Sequence, residues 1–194
     1  VRDKMRNSEG GVHTAFKDDN NPDIVYLYGH HVTSEHMGLW LWVTAAILDH
    51  GLFEQAYQYV LTKMVNTNVY DIVVWGIDKV TRQPFAISGD YFNAPLDDLR
   101  VIKGFISGWM QWGDKRYLDL ALRLGEGLRK TSVSGPTAFP AYPNGLVTGG
   151  FGWNNAVPPK VYTETEIIPV DYADLWTMQF LAQYDPKWLP ILAE

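Results

Sequence analysis

The longest apolar stretch of the chain is Leu39-Trp40-Leu41-Trp42-Val43-Thr44-Ala45-Ala46-Ile47-Leu48, which carries no charge. A run this long with no polar face predicts a buried helix rather than a strand. Polar residues precede it, so the helix is predicted over Ser34–Asp49, with Ser34 as N-cap and His50-Gly51 as its stop. Glu35 falls in the first turn, where the positive end of the helix dipole favours a carboxylate. Phe53, Tyr57, Val60, Leu61 and Met64 follow at the helical period and predict a second helix over Leu52–Val65. The short connection makes the two an antiparallel αα-hairpin.

The same pattern returns twice. From about Asp97, the residues Leu99, Ile102, Phe105, Ile106 and Trp109 mark one face of a third helix, which Gly113-Asp114 ends. Leu118, Ala121, Leu122 and Gly125 mark a fourth over Lys115–Leu128. A fifth is predicted over Tyr172–Gln183 and a short sixth after Asp185-Pro186. Between the hairpins, the β-branched and aromatic run 69–77 reads as a strand with Gln83–Ile87 as its partner. Residues 1–32 are a polar, loop-rich lead-in with one apolar strand at Ile24–Tyr28. Residues 131–168 are rich in Pro and Gly and read as a long loop, a feature that in a compact domain is functional or disordered. That loop contains Gly149-Gly150-Phe151-Gly152-Trp153, which lacks the Gly-Lys-Ser/Thr of a phosphate loop.

These elements predict an all-α fold, an αα-hairpin toroid of the (α/α)6 type with small β elements and long loops, over a single partial domain, 1–194. The hairpins start near Glu35, Asp97 and Tyr172, about 62 and 75 residues apart, so there is no strict short repeat. Three hairpins are half of a six-hairpin ring and would leave an apolar face open. The remainder of the ring is therefore expected from the same gene product or from another chain. The sequence opens on Val1 rather than Met, so a preceding segment is expected too.

Composition narrows the function. The net charge is −6 with scattered Lys and Arg, which argues against a nucleic-acid or anionic-membrane partner. There is no Cys, hence no disulfide or thiolate metal site, a usage that fits an extracellular or cell-surface protein. No apolar run reaches the about 18 residues of a membrane span, and no signal peptide is visible. Aromatic residues make up 14 %; such rings pack cores by default or stack on sugar faces, and composition does not separate the two uses.

The candidate chemistry lies in carboxylates at helix starts. Glu35 is flanked by Met37, Leu39 and Trp40, an apolar setting of the kind that keeps a glycosidase acid protonated; favouring the helix dipole is its other reading. Of Asp97 and Asp98, one is expected to cap the third helix and the other to face the cleft. His30, His31 and His36 do not have a metal-ligand spacing and read as polar cleft lining or surface residues, so no metal and no cofactor are expected. Glu164, Glu166 and Asp171 form an acidic group before the fifth helix, solvated by default. Trp40, Trp75, Tyr91 and Trp153 are the candidate substrate-stacking rings, each with core packing as its alternative.

Three segments, in order, give the chain a resemblance to glycoside hydrolase family 8 and more broadly to the six-hairpin glycosidases. Ser34-Glu35-His36-Met37-Gly38 is similar to that family's Ser-Glu-Gly-x-Gly, whose Glu is the general acid. Ala94-Pro95-Leu96-Asp97-Asp98-Leu99 with Trp112-Gly113-Asp114 resembles its Ala-Thr-Asp-Ala-Asp-Leu segment. Pro169-Val170-Asp171-Tyr172 with Phe180-Leu181-Ala182 and Trp188 resembles its Pro-Ser-Tyr-Phe segment with the Phe-Ala and Trp beyond it, which adds Asp171 and Tyr172 to the cleft. In register, the family's first Asp falls on Leu96 and its second on Asp98, and His36 replaces a Gly. The family's general base lies beyond everything matched. These departures fit a divergent relative, with the smaller α-glucan-associated family 126 a candidate.

The resemblance implies an inverting glycoside hydrolase of a glucan-type polysaccharide, with Glu35 as acid and Asp97 or Asp98 holding the sugar. A non-catalytic carbohydrate-binding or assembly module of the same fold is the alternative. An uronyl hydrolase or lyase would want a basic cleft, and Lys and Arg are sparse near Glu35.

Overall fold

The computed structural model describes residues 5–14, 31–66, 71–78, 81–84, 86–87, 90–132, 151–154, 157–161 and 174–192. The hairpins are present. Helix α1 (Ser34–Ala46) and α2 (His50–Tyr59, extended by a π-helical turn over Val60–Met64) form the first. Helices α3 (Pro95–Trp112) and α4 (Lys115–Ser132) form the second. Helix α5 (Leu175–Ala182), a 3-10 turn (Pro186–Trp188) and α6 (Leu189–Leu192) form a short third. No helix among the described residues is long and apolar enough to cross a membrane.

Several boundaries differ from the sequence expectation, and caps explain them. The N-cap of α1 is Thr33 rather than Ser34. Helix α1 ends at Ala46, three residues early, because Asp49 caps the next helix by accepting the Leu52 N–H at 3.0 Å. His50-Gly51 therefore opens α2 instead of closing α1, and the chain turns at Leu48 with φ of 59°. Helix α3 starts two residues before Asp97 because Pro95 occupies its first position, where the missing N–H costs nothing. Neither Asp97 nor Asp98 is the N-cap; that position is Ala94. Gly113 ends α3 in the left-handed conformation, as its sequence position predicts. Helix α5 begins at Leu175, with Asp174 accepting the Thr177 N–H, rather than at Tyr172.

The described part of the run 69–77, residues 71–77, holds two strands, not one. Strand β2 (Val65–Asn66) pairs with β3 (Ile72–Val73), whereas β1 (Val32–Thr33) pairs with β4 (Gly76–Ile77). Pro84 makes a single bridge to Ile77. A four-stranded antiparallel sheet in the order β5 (Ala86–Ile87), β6 (Asp90–Asn93), β7 (Phe151–Asn154), β8 (Val157–Val161) takes up part of the segment expected to be loop. The Pro158-Pro159 pair that argued for a loop sits on the edge strand, where a missing N–H is tolerated. The expected strand Ile24–Tyr28 lies outside the described residues.

Helices α1, α3 and α5 lie side by side in that order, with α2 and α4 packed behind them. Met37, Leu41, Phe53, Leu99, Ile102, Phe105, Tyr117 and Trp188 form the buried core between the layers. Tyr117 meets Phe53 and Tyr57 edge to face, with centroids 4.8 and 5.0 Å apart. Buried Arg129 on α4 donates to Asp185 at 2.8 Å and ties the third hairpin to the second.

The α1–α3 crossing positions the site. A Cβ on Gly38 would lie 2.7 Å from the backbone of Arg100 and Val101, and one on Gly104 would lie 2.5 Å from the Leu41 Cβ. Only glycine permits that approach, which lets the first turn of α1 rest directly on the first two turns of α3. The other side of α1 is also apolar: Leu39, Trp42, Val43 and Ile47 are exposed along it. A helix that is hydrophobic all round belongs inside a larger structure.

Candidate active site

The N-termini of α1 and α3 meet below the β1–β4 pair. Ser34 anchors the junction: its N–H donates to the Trp75 carbonyl at 2.9 Å. Its hydroxyl lies 3.1 Å from that carbonyl and 3.3 Å from Asp97 Oδ2. Trp75 thus serves the site through its backbone. Strand β6 runs through Asn93 and Ala94 straight into α3, so the four-stranded sheet is attached at the same junction.

Glu35 and Asp97 are brought together by Arg100, one turn after Asp97. Arg100 Nη1 is 2.6 Å from Glu35 Oε1 and 3.4 Å from Asp97 Oδ1, so the two carboxyl oxygens are no farther apart than the sum of these distances. The Glu35 side chain is 43 % exposed, while that of Asp97 is 9 % exposed. Burial, and next the charge of Glu35, push the Asp97 carboxyl up to about 6; Arg100 and Ser34 act the other way.

Asp98, one residue on, points inward instead. It is fully buried and accepts a short hydrogen bond from the Asn93 side chain. Burial raises its pKa well above the ordinary carboxylate range, against the Asn93 bond. Adjacent residues on a helix diverge by about 100°, and the close α1 backbone gives the outward direction to Asp97.

His36 Nδ1 is 2.7 Å from the Thr33 hydroxyl, and burial holds its pKa below the usual value. His31 Nδ1 lies 3.6 Å from Asp78. His36 also lines, with Met5, Arg6, Val12, Leu39, Trp40 and Val43, an apolar hollow of about 200 Å³ on the flank of α1 away from α3. Trp40 Nε1 is buried there without a hydrogen-bond partner among the described residues. Farther along, Lys103 pairs with Asp174 at 3.1 Å and lies 5.5 Å from the ring centroids of both Trp42 and Trp176.

Tyr91 and Trp153 are register partners across β6 and β7. Asp171, Tyr172, His30, Glu164 and Glu166 lie outside the described residues. Sequence reasoning missed Arg100, Asn93 and the Ser34–Asp97 contact. The i, i+3 spacing of Asp97 and Arg100 was the only local signal for any of them.

No protein-family model matches the chain, and no curated protein does. Solved structures share its fold. An α-amylase from Clostridium perfringens superposes with a TM-score of 0.72 at 22 % identity, over all of this chain and 49 % of that one. A family 8 endoglucanase from Klebsiella pneumoniae gives 0.72 at 15 % identity, over 99 % of this chain and 54 % of that one. A sugar epimerase from a ruminal bacterium gives 0.58 at 18 % identity, over 98 % and 48 %. The chain spans about half the length of each of these structures. It resembles glycoside hydrolase family 8 in fold: a mostly helical segment matching about half of the (α/α)6 toroid, an architecture that carries more than one sugar chemistry.

Proposed function

We propose that the chain is the catalytic segment of an inverting glycoside hydrolase acting on a glucan-type polysaccharide. The observation that carries this reading is the pair formed by exposed Glu35 and buried Asp97 around Arg100, at a mouth made by two helix starts. A glycosidase needs one carboxyl that delivers a proton to the glycosidic oxygen and others that hold charge and sugar nearby. Glu35, the more exposed of the two, is the acid. Asp97 holds the sugar in the adjacent subsite, and Asp98 fixes the helix start through Asn93. The Glu35–Asp97 approach is closer than the about 6.5–9.5 Å that accommodates an attacking water, so the base is a further carboxylate outside this pair. No cofactor enters the reaction.

The fold likeness to endoglucanases and an α-amylase supports a β-1,4- or α-linked glucan as substrate. Trp75, Tyr91 and Trp153 are the proposed stacking rings, and Asp171 and Tyr172 extend the cleft; Trp40, on the flank of α1 away from α3, stands apart from them. The remainder of the ring, from the same gene product or another chain, covers the apolar side of α1. A polysaccharide substrate supports a place outside the cell or on its surface, with the cytoplasm as the alternative.

The test is a screen of soluble β-1,4- and α-glucans with the full-length protein, with product anomers followed by NMR. Release of inverted sugars is expected. Binding without hydrolysis would favour the carbohydrate-binding alternative, and neither binding nor hydrolysis of any glucan would overturn both.

A further inference from the structure

We propose that Arg100 is a shared counter-ion whose position decides whether Glu35 or Asp97 carries the proton, and is thus a positioning residue of the site. The purpose of the device rests on the glycosidase reading, but its existence does not.

The geometry is that of one cation between two carboxyls. Nη1 sits 2.6 Å from Glu35 and 3.4 Å from Asp97, so a shift of under about an ångström moves the cation from the first to the second. The guanidinium is permanently charged and can neutralise one carboxylate, not two. Two carboxyls this close do not both ionise freely, so the one farther from the cation holds its proton more tightly. In the present arrangement the cation is on Glu35, and Asp97 is the carboxyl held up to about 6.

The other groups facing the pair do not disturb this balance. Ser34 presents a neutral hydroxyl from α1. His36, also on α1, has its pKa lowered by burial, against the charge of Glu35. Asp98, next to Asp97 on α3, is itself pushed toward the neutral acid by burial. Arg100 comes close enough to serve both because Gly38 has no side chain between α1 and the Arg100 backbone.

The step balances. A sugar hydroxyl donating to Glu35 Oε1 competes with the guanidinium, which moves onto Asp97. The O–H bond of Asp97 breaks and one on Glu35 forms. Arg100 keeps all its protons, and the net charge of the three groups is unchanged. Glu35 then holds the proton that a general acid must deliver, and Asp97 has become the carboxylate beside the sugar.

The test is a ¹³C NMR titration of the side-chain carboxyls in the full-length protein without substrate. In the wild type, Asp97 is expected to titrate with a midpoint of about 6. Arg100→Gln is expected to raise that midpoint by about 1–3 pH units. Glu35→Gln is expected to move it the other way, toward the ordinary range, because it removes the neighbouring charge and frees the cation for Asp97. Arg100→Lys, which keeps the charge, holds it near the wild-type value. The opposed signs separate a shared counter-ion from a merely structural arginine. An Asp97 midpoint unmoved by Arg100→Gln, or moved in the same direction by both neutral variants, would overturn the proposal. Should Arg100→Gln not fold, Glu35→Gln decides: failure to lower the midpoint overturns it. The readout needs no turnover, so absence of glucan hydrolysis counts against the proposed function and not against this exchange.

Discussion

Replacing Asp97 by Asn removes one titration while keeping the side-chain shape and one acceptor oxygen for Arg100; the amide N–H2 then faces the Ser34 hydroxyl, whose oxygen can accept from it. In the wild type, folding takes this carboxyl from an ordinary 3.8 to about 6. A rise of about two units corresponds to about 3 kcal/mol at 1.36 kcal/mol per unit. The native state is the tighter binder of the proton, so the extra stability is fully present below the unfolded value. It shrinks as pH rises and is lost through the folded value near 6. Urea denaturation of wild type and Asp97→Asn between pH 4 and pH 8 isolates this contribution, because every other group titrates in both proteins. The stability difference, wild type minus variant, is expected to fall by about 2–3 kcal/mol, most of it before pH 6. A difference that stays flat, or one that grows with pH, would mean that Arg100 outweighs burial and that Asp97 is an ordinary carboxylate. Either result refutes the reasoning.

Gly104→Ala places a methyl group 2.5 Å from the Leu41 Cβ and is expected to cost about 1–3 kcal/mol in urea denaturation; a neutral effect would mean that α1 and α3 are not in backbone contact. Arg129→Met breaks a pair whose arginine is 3 % exposed, and a loss of about 3 kcal/mol is expected, read as a lowered Tm. Trp42 is exposed on the open side of α1. If further hairpins cover that side, Trp42→Ala in the full-length protein costs about 3 kcal/mol, whereas a solvent-facing residue would cost a few tenths.

The helices were legible because their apolar residues repeat at the helical period, and that signal is strong over α2, α3 and α4. Their boundaries were less so. Asp49, Pro95 and Asp174 each mark a helix start, but every one has a neighbour that reads equally well, and the packing of the next element makes the choice. Strands β7 and β8 were invisible because Pro158 and Pro159 speak against a strand everywhere except at an edge, and edge status is a property of the sheet. The site shows the same division. Glu35 was readable as a charge at the head of an apolar helix. Asp97 and Asp98 are alike in sequence, and the α1–α3 crossing separates them into one facing Arg100 and one facing Asn93. Arg100 is visible as a neighbour of Asp97, but its bond to Glu35 spans 65 residues, a contact that no local pattern encodes.

The central claim is that Glu35 supplies the proton to the leaving sugar oxygen. Its most direct measurement compares kcat of Glu35→Gln and wild type in the full-length protein, on the glucan the wild type hydrolyses, with binding of that glucan measured alongside by calorimetry. Glutamine keeps the shape and removes the transferable proton, so kcat is expected to fall by about 10²–10⁴-fold with binding nearly unchanged. A variant that hydrolyses the glucan at the wild-type rate would contradict the account.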